Sequence, residues 1–163
     1  MAVTTENSAE YTSYVARNPR VPLRPDQMHG RVRLATFTHT QVAQGDANSK
    51  VNLCVIPAGK GRILKRSSFA SVSALGAGRT MDIGHLGWTK SDGTAQVAVA
   101  DVIADGVDVS SATNAFLGVG TNADDSPVLV FDSTTDIVIQ ALIAVDTLDL
   151  GETFEGYIIY VKD

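Results

Sequence analysis

The sequence feature that most constrains the fold is a succession of short segments in which apolar and polar residues alternate. In the clearest, residues 135–145, five apolar side chains occupy every second position: Ile137, Ile139, Ala141, Ile143 and Val145. A period of two places such side chains on one face of a β-strand. Similar segments recur at roughly 8–12-residue spacing between turns rich in Gly, Asp, Ser and Pro, which is typical of an all-β sandwich or barrel.

About eight strands are predicted in this way. The longest, RILKRSSFASVSAL (62–75), is expected to break near Ser67 and Ser68. Residues 94–115 alternate poorly and predict a short helix around 97–105, ended by Gly106, or a covering loop. No strand–helix alternation is present, which argues against a doubly wound nucleotide-binding fold. The other predicted strands are 31–40, 51–56, 80–88, 115–120, 127–132, 135–145 and 153–161.

The first 29 residues have a different character. Pro19, Pro22 and Pro25 are spaced by three. Proline lacks a backbone donor and pushes the preceding residue toward extended conformations. We therefore expect residues 1–29 to form an extended arm with polyproline II character, and residues 30–163 to form the sandwich domain.

The predicted arm combines aromatic and cationic side chains, the types favoured at protein interfaces. We expect a partner to be contacted by the arm and by the start of the first predicted strand. An alternative is that the arm packs on its own domain and covers a sheet edge. The candidate contact residues are Tyr11, Tyr14, Arg17, Arg20, Arg24, Arg31 and Arg33.

Charge is distributed unevenly along the 163 residues. Residues 1–79 carry 11 basic and 4 acidic side chains, whereas residues 80–163 carry 2 basic and 14 acidic ones. The halves therefore differ by sign, +7 against −12, which suggests an electrostatic partner unless the strands interleave in one sandwich. The overall net charge of −5 argues against nucleic-acid binding as the main activity.

Composition also bears on location and stability. The N-terminus lacks the apolar run of a signal peptide, and no stretch approaches the ~20 apolar residues of a membrane span. We therefore expect synthesis in the cytoplasm and no membrane partner. One cysteine excludes an intrachain disulfide, and a chain of this length can bury a core without one.

No catalytic or metal-binding motif is found, so we expect neither an enzyme nor a cofactor. His29, His39 and His85 lack metal-ligand spacing, and Cys54 has no nearby base and reads as a small buried residue. The glycine-rich pieces match no phosphate-binding pattern. Calcium binding by loop carboxylates is an alternative to solvated charge, although the spacing is not that of an EF-hand: Asp101, Asp105, Asp108, Asp124 and Asp125.

Three segments carry a resemblance: ALGAGRTMDIGHLGW (74–88), ADGVDVSSA (104–112) and GETFEGYIIYVKD (151–163). Together they resemble small structural proteins of tailed bacteriophages that are encoded close to the major capsid protein. The resemblance implies a head decoration, or cement, protein with a jelly-roll-like sandwich. It further implies a trimer on the capsid surface, bound to major capsid protein subunits. The arm and its arginines would then contact the shell.

Two other structural functions compete with this interpretation. A virion-associated module that recognises a receptor or carbohydrate would need exposed aromatic residues, and Trp88 alternates like a core residue. A major-shell or tail-tube subunit is the other, and the chain is short for a shell protein.

Overall fold

The computed structural model describes residues 4–12, 15, 32–118, 126–144 and 147–162. In this part of the chain, two mainly antiparallel sheets pack on a shared apolar core. No helix within it is long and apolar enough to cross a bilayer. The prediction of an all-β sandwich is confirmed.

The described residues form more strands than the eight expected, because several are only two to four residues long. Two helical pieces accompany them, α1 (Ala9–Tyr11) and a 3₁₀ turn at Lys65–Ser67. The strands are β1 (Thr5–Asn7), β2 (Val32–Thr40), β3 (Lys50–Ile56), β4 (Gly59–Leu64), β5 (Phe69–Val72), β6 (Thr80–His85), β7 (Trp88–Thr89), β8 (Ala95–Gln96), β9 (Val99–Asp108), β10 (Thr113–Phe116), β11 (Val128–Ser133), β12 (Ile137–Ala144) and β13 (Thr153–Lys162).

The strands divide into two large sheets and one small hairpin. The first sheet has the order β1-β3-β12-β6-β9. The second is built around β13, which pairs with β2 along one edge and with β4 and β5 along the other. Beyond these, β11 pairs with β4 and β10 pairs with β5. Strands β7 and β8 form the hairpin.

The core lies between the two large sheets. The alternation predicted for 135–145 is confirmed in β12, whose side chains are buried and half-buried in turn. The opposite sheet contributes larger side chains, notably Phe37, Phe154, Ile158 and Tyr160, each at most 2% exposed. Removing such apolar surface from water is the main stabilisation of the sandwich.

The break predicted near Ser67 and Ser68 is confirmed, and Ser68 shows how the sheet tolerates it. The 3₁₀ turn at Lys65–Ser67 separates β4 from β5. The Ser68 hydroxyl accepts a hydrogen bond from the Ile159 backbone N–H at 2.9 Å, and its carbonyl accepts one from Leu117 at 2.8 Å. These bonds replace the interrupted strand pairing.

The short helix predicted around 97–105 is wrong, because Val99–Asp108 is strand β9 and pairs antiparallel with β6. The pairing register shifts twice, between Met81 and Ile83 and between Ile83 and His85. A register irregularity reverses which face the following side chains occupy, so the period of two is lost from the sequence.

The described N-terminal residues pack on the first sheet. Strand β1 pairs parallel with β3, and the Ser8 hydroxyl caps α1 by accepting from the Tyr11 N–H. Residues 4–12 thus cover the free edge of β3. The remainder of the predicted arm lies outside the described residues, apart from Val15, and the boundary at 29/30 stays a prediction.

Candidate interaction surface

One part of the outward face of the β13 sheet is apolar. Alternation along β13 turns Phe154, Ile158 and Tyr160 into the core, which leaves Ile159 and Val161 on the outside. An antiparallel sheet with one solvated face ordinarily carries polar residues there. Ile159 and Val161 depart from this pattern.

The apolar residues line up across the strands because the pairing register sets them opposite one another. Val161 lies opposite Val32 on one side and Arg62 on the other, and Arg62 lies opposite Val130. In the next row, Ile159 lies opposite Leu34. Val32 is 61% exposed and Val130 67% exposed. We call these two rows, with Val128 beside them on β11, the apolar rows.

A third row, next to the apolar rows, is aromatic. Tyr157 lies opposite Phe69, and Phe69 lies opposite Phe116. The Phe69 ring stacks on Tyr157 with centroids 5.9 Å apart and meets the Phe116 ring edge-on at 5.6 Å. Phe116 remains 59% exposed. Such ring geometries are favourable beyond the burial of area, so the three rings form a firm platform.

An open groove of about 440 Å³ runs beside this platform. Thr36 and Thr38 of β2 form one wall, and Ser71 and Glu155 extend the lining past the rings of Phe69 and Tyr157. Within the described residues, no cation lies at ion-pair distance from the Glu155 carboxylate. We call this feature the aromatic groove.

The outward face of the other large sheet carries apolar side chains and a row of amides that bond to one another. The Gln140 amide donates to Asn52 Oδ1 at 2.7 Å, and the Asn52 amide donates to Asn7 Oδ1 at 2.7 Å. Asp82 accepts from the Gly106 N–H at 2.8 Å. Burial, followed by the nearby charges of Asp105 and Asp101, raises the pKa of Asp82 although that hydrogen bond opposes the shift.

The predicted contact residues are distributed over different parts of the chain. Tyr11 is half-buried in α1 beside β1, on the first sheet. Arg33 is half-buried in β2, opposite Tyr160 on the second sheet, with the alternation parity of the inward residues. The other candidates, Tyr14, Arg17, Arg20, Arg24 and Arg31, lie outside the described residues, so their role stays a prediction.

Cys54 and His85, two side chains considered for chemistry, lie in the interior. Cys54 is buried, as expected. His85 is buried against Trp88 with ring centroids 4.3 Å apart, and its Nδ1 lies 3.0 Å from the Leu86 carbonyl. Burial lowers the pKa of His85, which keeps the ring neutral at pH 7. Within the described residues, no three His, Cys, Asp or Glu side chains are placed to hold a metal ion.

Sequence reasoning missed the aromatic row. Phe69 and Phe116 are 47 positions apart in the sequence and meet only because β10 pairs with β5. The outward residues of β13 were visible as an alternating set, but alternation alone does not tell which of two apolar faces is buried. An excess of apolar residues on both faces of one strand was the available signal.

Comparison with solved structures finds viral capsid chains, whereas no protein-family model and no curated protein matches the sequence. A chain from the capsid of Ralstonia phage GP4 superposes with a TM-score of 0.65 and 15% identity, covering 98% of this chain and 99% of that one. Two more distant matches have TM-scores of 0.47. The cyanophage Pam1 capsid asymmetric unit is 13% identical over 88% of this chain and 94% of that one. The infectious bursal disease virus VP2 subviral particle is 15% identical over 81% of this chain and 33% of that one.

The first of these likenesses establishes the fold, and at 15% identity it establishes the fold alone. The jelly-roll-like antiparallel sandwich expected from the resemblance is confirmed.

Proposed function

We propose that this chain is a virion structural protein, a decoration or cement protein that binds the outer surface of a phage head and bridges major capsid protein subunits. The observation that carries the proposal is the set of apolar rows on the outward face of the β13 sheet. A contiguous apolar patch on a folded domain marks a surface that another molecule covers. The likeness to a phage capsid chain supports a head protein as the setting.

The physical effect of such binding follows from mass action. A protein that binds the assembled shell, and not its separated subunits, stabilises the shell by the free energy of that binding. A sandwich closed by a continuous core offers a rigid surface, so little entropy is lost when it docks. Its location would be the capsid surface, after synthesis and assembly in the host cytoplasm.

Two further parts of the proposal concern the arm and the oligomeric state. Arg17, Arg20 and Arg24 would contact the shell, because cationic side chains are complementary to an acidic lattice surface. A trimer would present three such surfaces at once, and linked sites bind more tightly than separate ones. No nucleic-acid contact and no cofactor are required.

A second candidate function, recognition of a receptor or carbohydrate on the virion, is favoured by the aromatic groove. Sugars bind on exposed rings beside hydroxyl and carboxylate groups. The groove is lined by Ser71 and Glu155 and lies beside the exposed Phe116 ring, which contacts Phe69. Binding of the purified chain to a glycan array at micromolar concentration, lost in Phe116→Ala, would favour this candidate. A blank array would remove it.

The proposed function is tested by mixing the purified full-length chain with shells of the phage that encodes it. Size-exclusion chromatography with light scattering measures the mass of the free protein and its presence in the shell fraction. We expect a trimer that co-migrates with shells, and a lower occupancy when Arg17, Arg20 and Arg24 are all changed to Glu. A monomer that is absent from the shell fraction would contradict the proposal.

A further inference from the structure

We propose that the aromatic groove is the docking site for residues 16–26 of the same chain. This inference goes beyond the proposed function, because it concerns the free protein and its test needs no shells. The groove and the segment have complementary chemistry, and a short stretch of chain connects them.

The groove offers two kinds of recognition side by side. Phe69 lies between Phe116 and Tyr157 and contacts both rings, and Phe116 is more than half exposed. Glu155, two residues before Tyr157 on the same face of β13, places a carboxylate at this surface. No described cation forms an ion pair with it. Aromatic faces accept proline rings and arginine guanidinium planes, and a free carboxylate accepts a guanidinium.

The segment ARNPRVPLRPD, residues 16–26, has the complementary chemistry. Pro19, Pro22 and Pro25 recur every third position, which aligns them on one face of a polyproline II helix of three residues per turn. Arg17, Arg20 and Arg24 supply the cations. Proline-rich segments dock on aromatic-lined grooves in this way because the extended conformation is already set and little entropy is lost.

The connection to β2 favours the segment of the same chain over that of a second copy. Residues 27–31 link the segment to Val32, the first residue of β2. Five extended residues reach roughly 17 Å. Thr36, on the groove wall, lies four residues into β2 and so roughly 13 Å from Val32. A tether this short gives the segment a millimolar effective concentration at its own groove.

Limited trypsin digestion of the full-length chain tests the docking. Trypsin can cut after Arg17 and after Arg20, whereas Arg24 precedes proline and is resistant. The Lys90–Ser91 bond, in the turn between β7 and β8, serves as the internal reference. Docking protects the two arm bonds from the protease. Their cleavage rate is therefore proportional to the fraction of molecules in which the segment is undocked.

We expect Phe116→Ala and Glu155→Gln each to speed cleavage after Arg17 and Arg20 at least about tenfold relative to the reference bond. Leu150→Ala is the matched control, since Leu150 is 69% exposed and lies in the turn before β13, outside the groove lining. It should leave all rates unchanged. Should Phe116→Ala fail to fold, Glu155→Gln removes one charge from an exposed side chain and still decides the question.

Two results would overturn the proposal. Equal cleavage rates in the wild type and both groove variants would show that the segment does not occupy the groove. Protection that disappears on dilution would assign the groove to the segment of a second copy, because docking within one chain is independent of concentration. Either result leaves shell binding to be judged separately.

Discussion

The two outward faces of the sandwich both belong to mainly antiparallel sheets, but they differ in whether their side chains find partners within the chain. On the β12 sheet, Asn7, Asn52 and Gln140 form a ladder of amide hydrogen bonds, so these polar side chains are paired within the chain. On the β13 sheet, Val32 and Val130 are exposed at opposite ends of one row, which also holds Val161 and the exposed Arg62. Hydrogen bonding within the chain explains the amides of the first face. The proposed shell contact explains the exposed apolar rows of the second face.

The largest expected effect compares the two sides of β13 at adjacent positions. Ile158→Ala should lower the free energy of unfolding by about 2–5 kcal/mol, because it leaves a cavity in a close-packed core. Ile159→Ala, on the outer face, should cost under about 1 kcal/mol. Urea denaturation of both variants measures the difference. Equal losses would mean that the outer face contributes to the core of the free protein and is not an interface.

The next largest effect concerns the ladder of amide hydrogen bonds on the β12 sheet. Asn52→Ala removes both hydrogen bonds of the ladder and leaves the Gln140 and Asn7 amides without them, at a cost of about 1–3 kcal/mol. Hydrogen exchange should also quicken at the Ser8 and Lys50 N–H groups, which bond across the β1–β3 pairing. An unchanged exchange rate would show that the ladder does not hold β1 in place. Asn114→Ala, exposed and outside the ladder, is the control.

The smallest expected effect is a pH dependence of stability that arises from Asp82, on the same sheet. The pKa of Asp82 is raised in the fold, so its contribution to stability is full below its ordinary pKa and is lost as pH rises through the folded-state value. Asp82→Asn should therefore stabilise the protein at pH 7, by under about 1 kcal/mol because solvent screens a half-exposed carboxylate. The gain should vanish near pH 3. Melting temperatures of both proteins across that range measure it, and a variant less stable at pH 7 would reverse the argument.

The sequence predicted those parts of the fold in which alternation is unbroken. Residues 135–145 gave β12 with the right buried face, and the paired serines gave the break between β4 and β5. Alternation failed at β9, where two register irregularities move side chains between faces. The sequence pattern of these residues therefore resembled a short helix, although they form a strand that pairs with β6.

The candidate site was harder to predict because it depends on pairing between distant segments. Phe69, Phe116 and Tyr157 come from three strands, and no local pattern connects them. The arm was predicted as the contact surface because its aromatic and cationic composition is visible within one continuous stretch of sequence. It could not place the apolar rows, since Val32 and Val161 read as ordinary strand residues until the register is known.

The most direct test of the central claim is co-sedimentation of three single variants with phage shells. Val32→Asp and Val130→Asp place a charge in the apolar rows, whereas Val97→Asp places it in the link between β8 and β9, at a valine of comparable exposure. The account predicts that the first two lose at least about tenfold in shell affinity, the equivalent of 1.4 kcal/mol, while Val97→Asp binds like the wild type and all three unfold normally. Full binding by Val32→Asp and Val130→Asp would contradict the assignment of the apolar rows as the shell-binding surface.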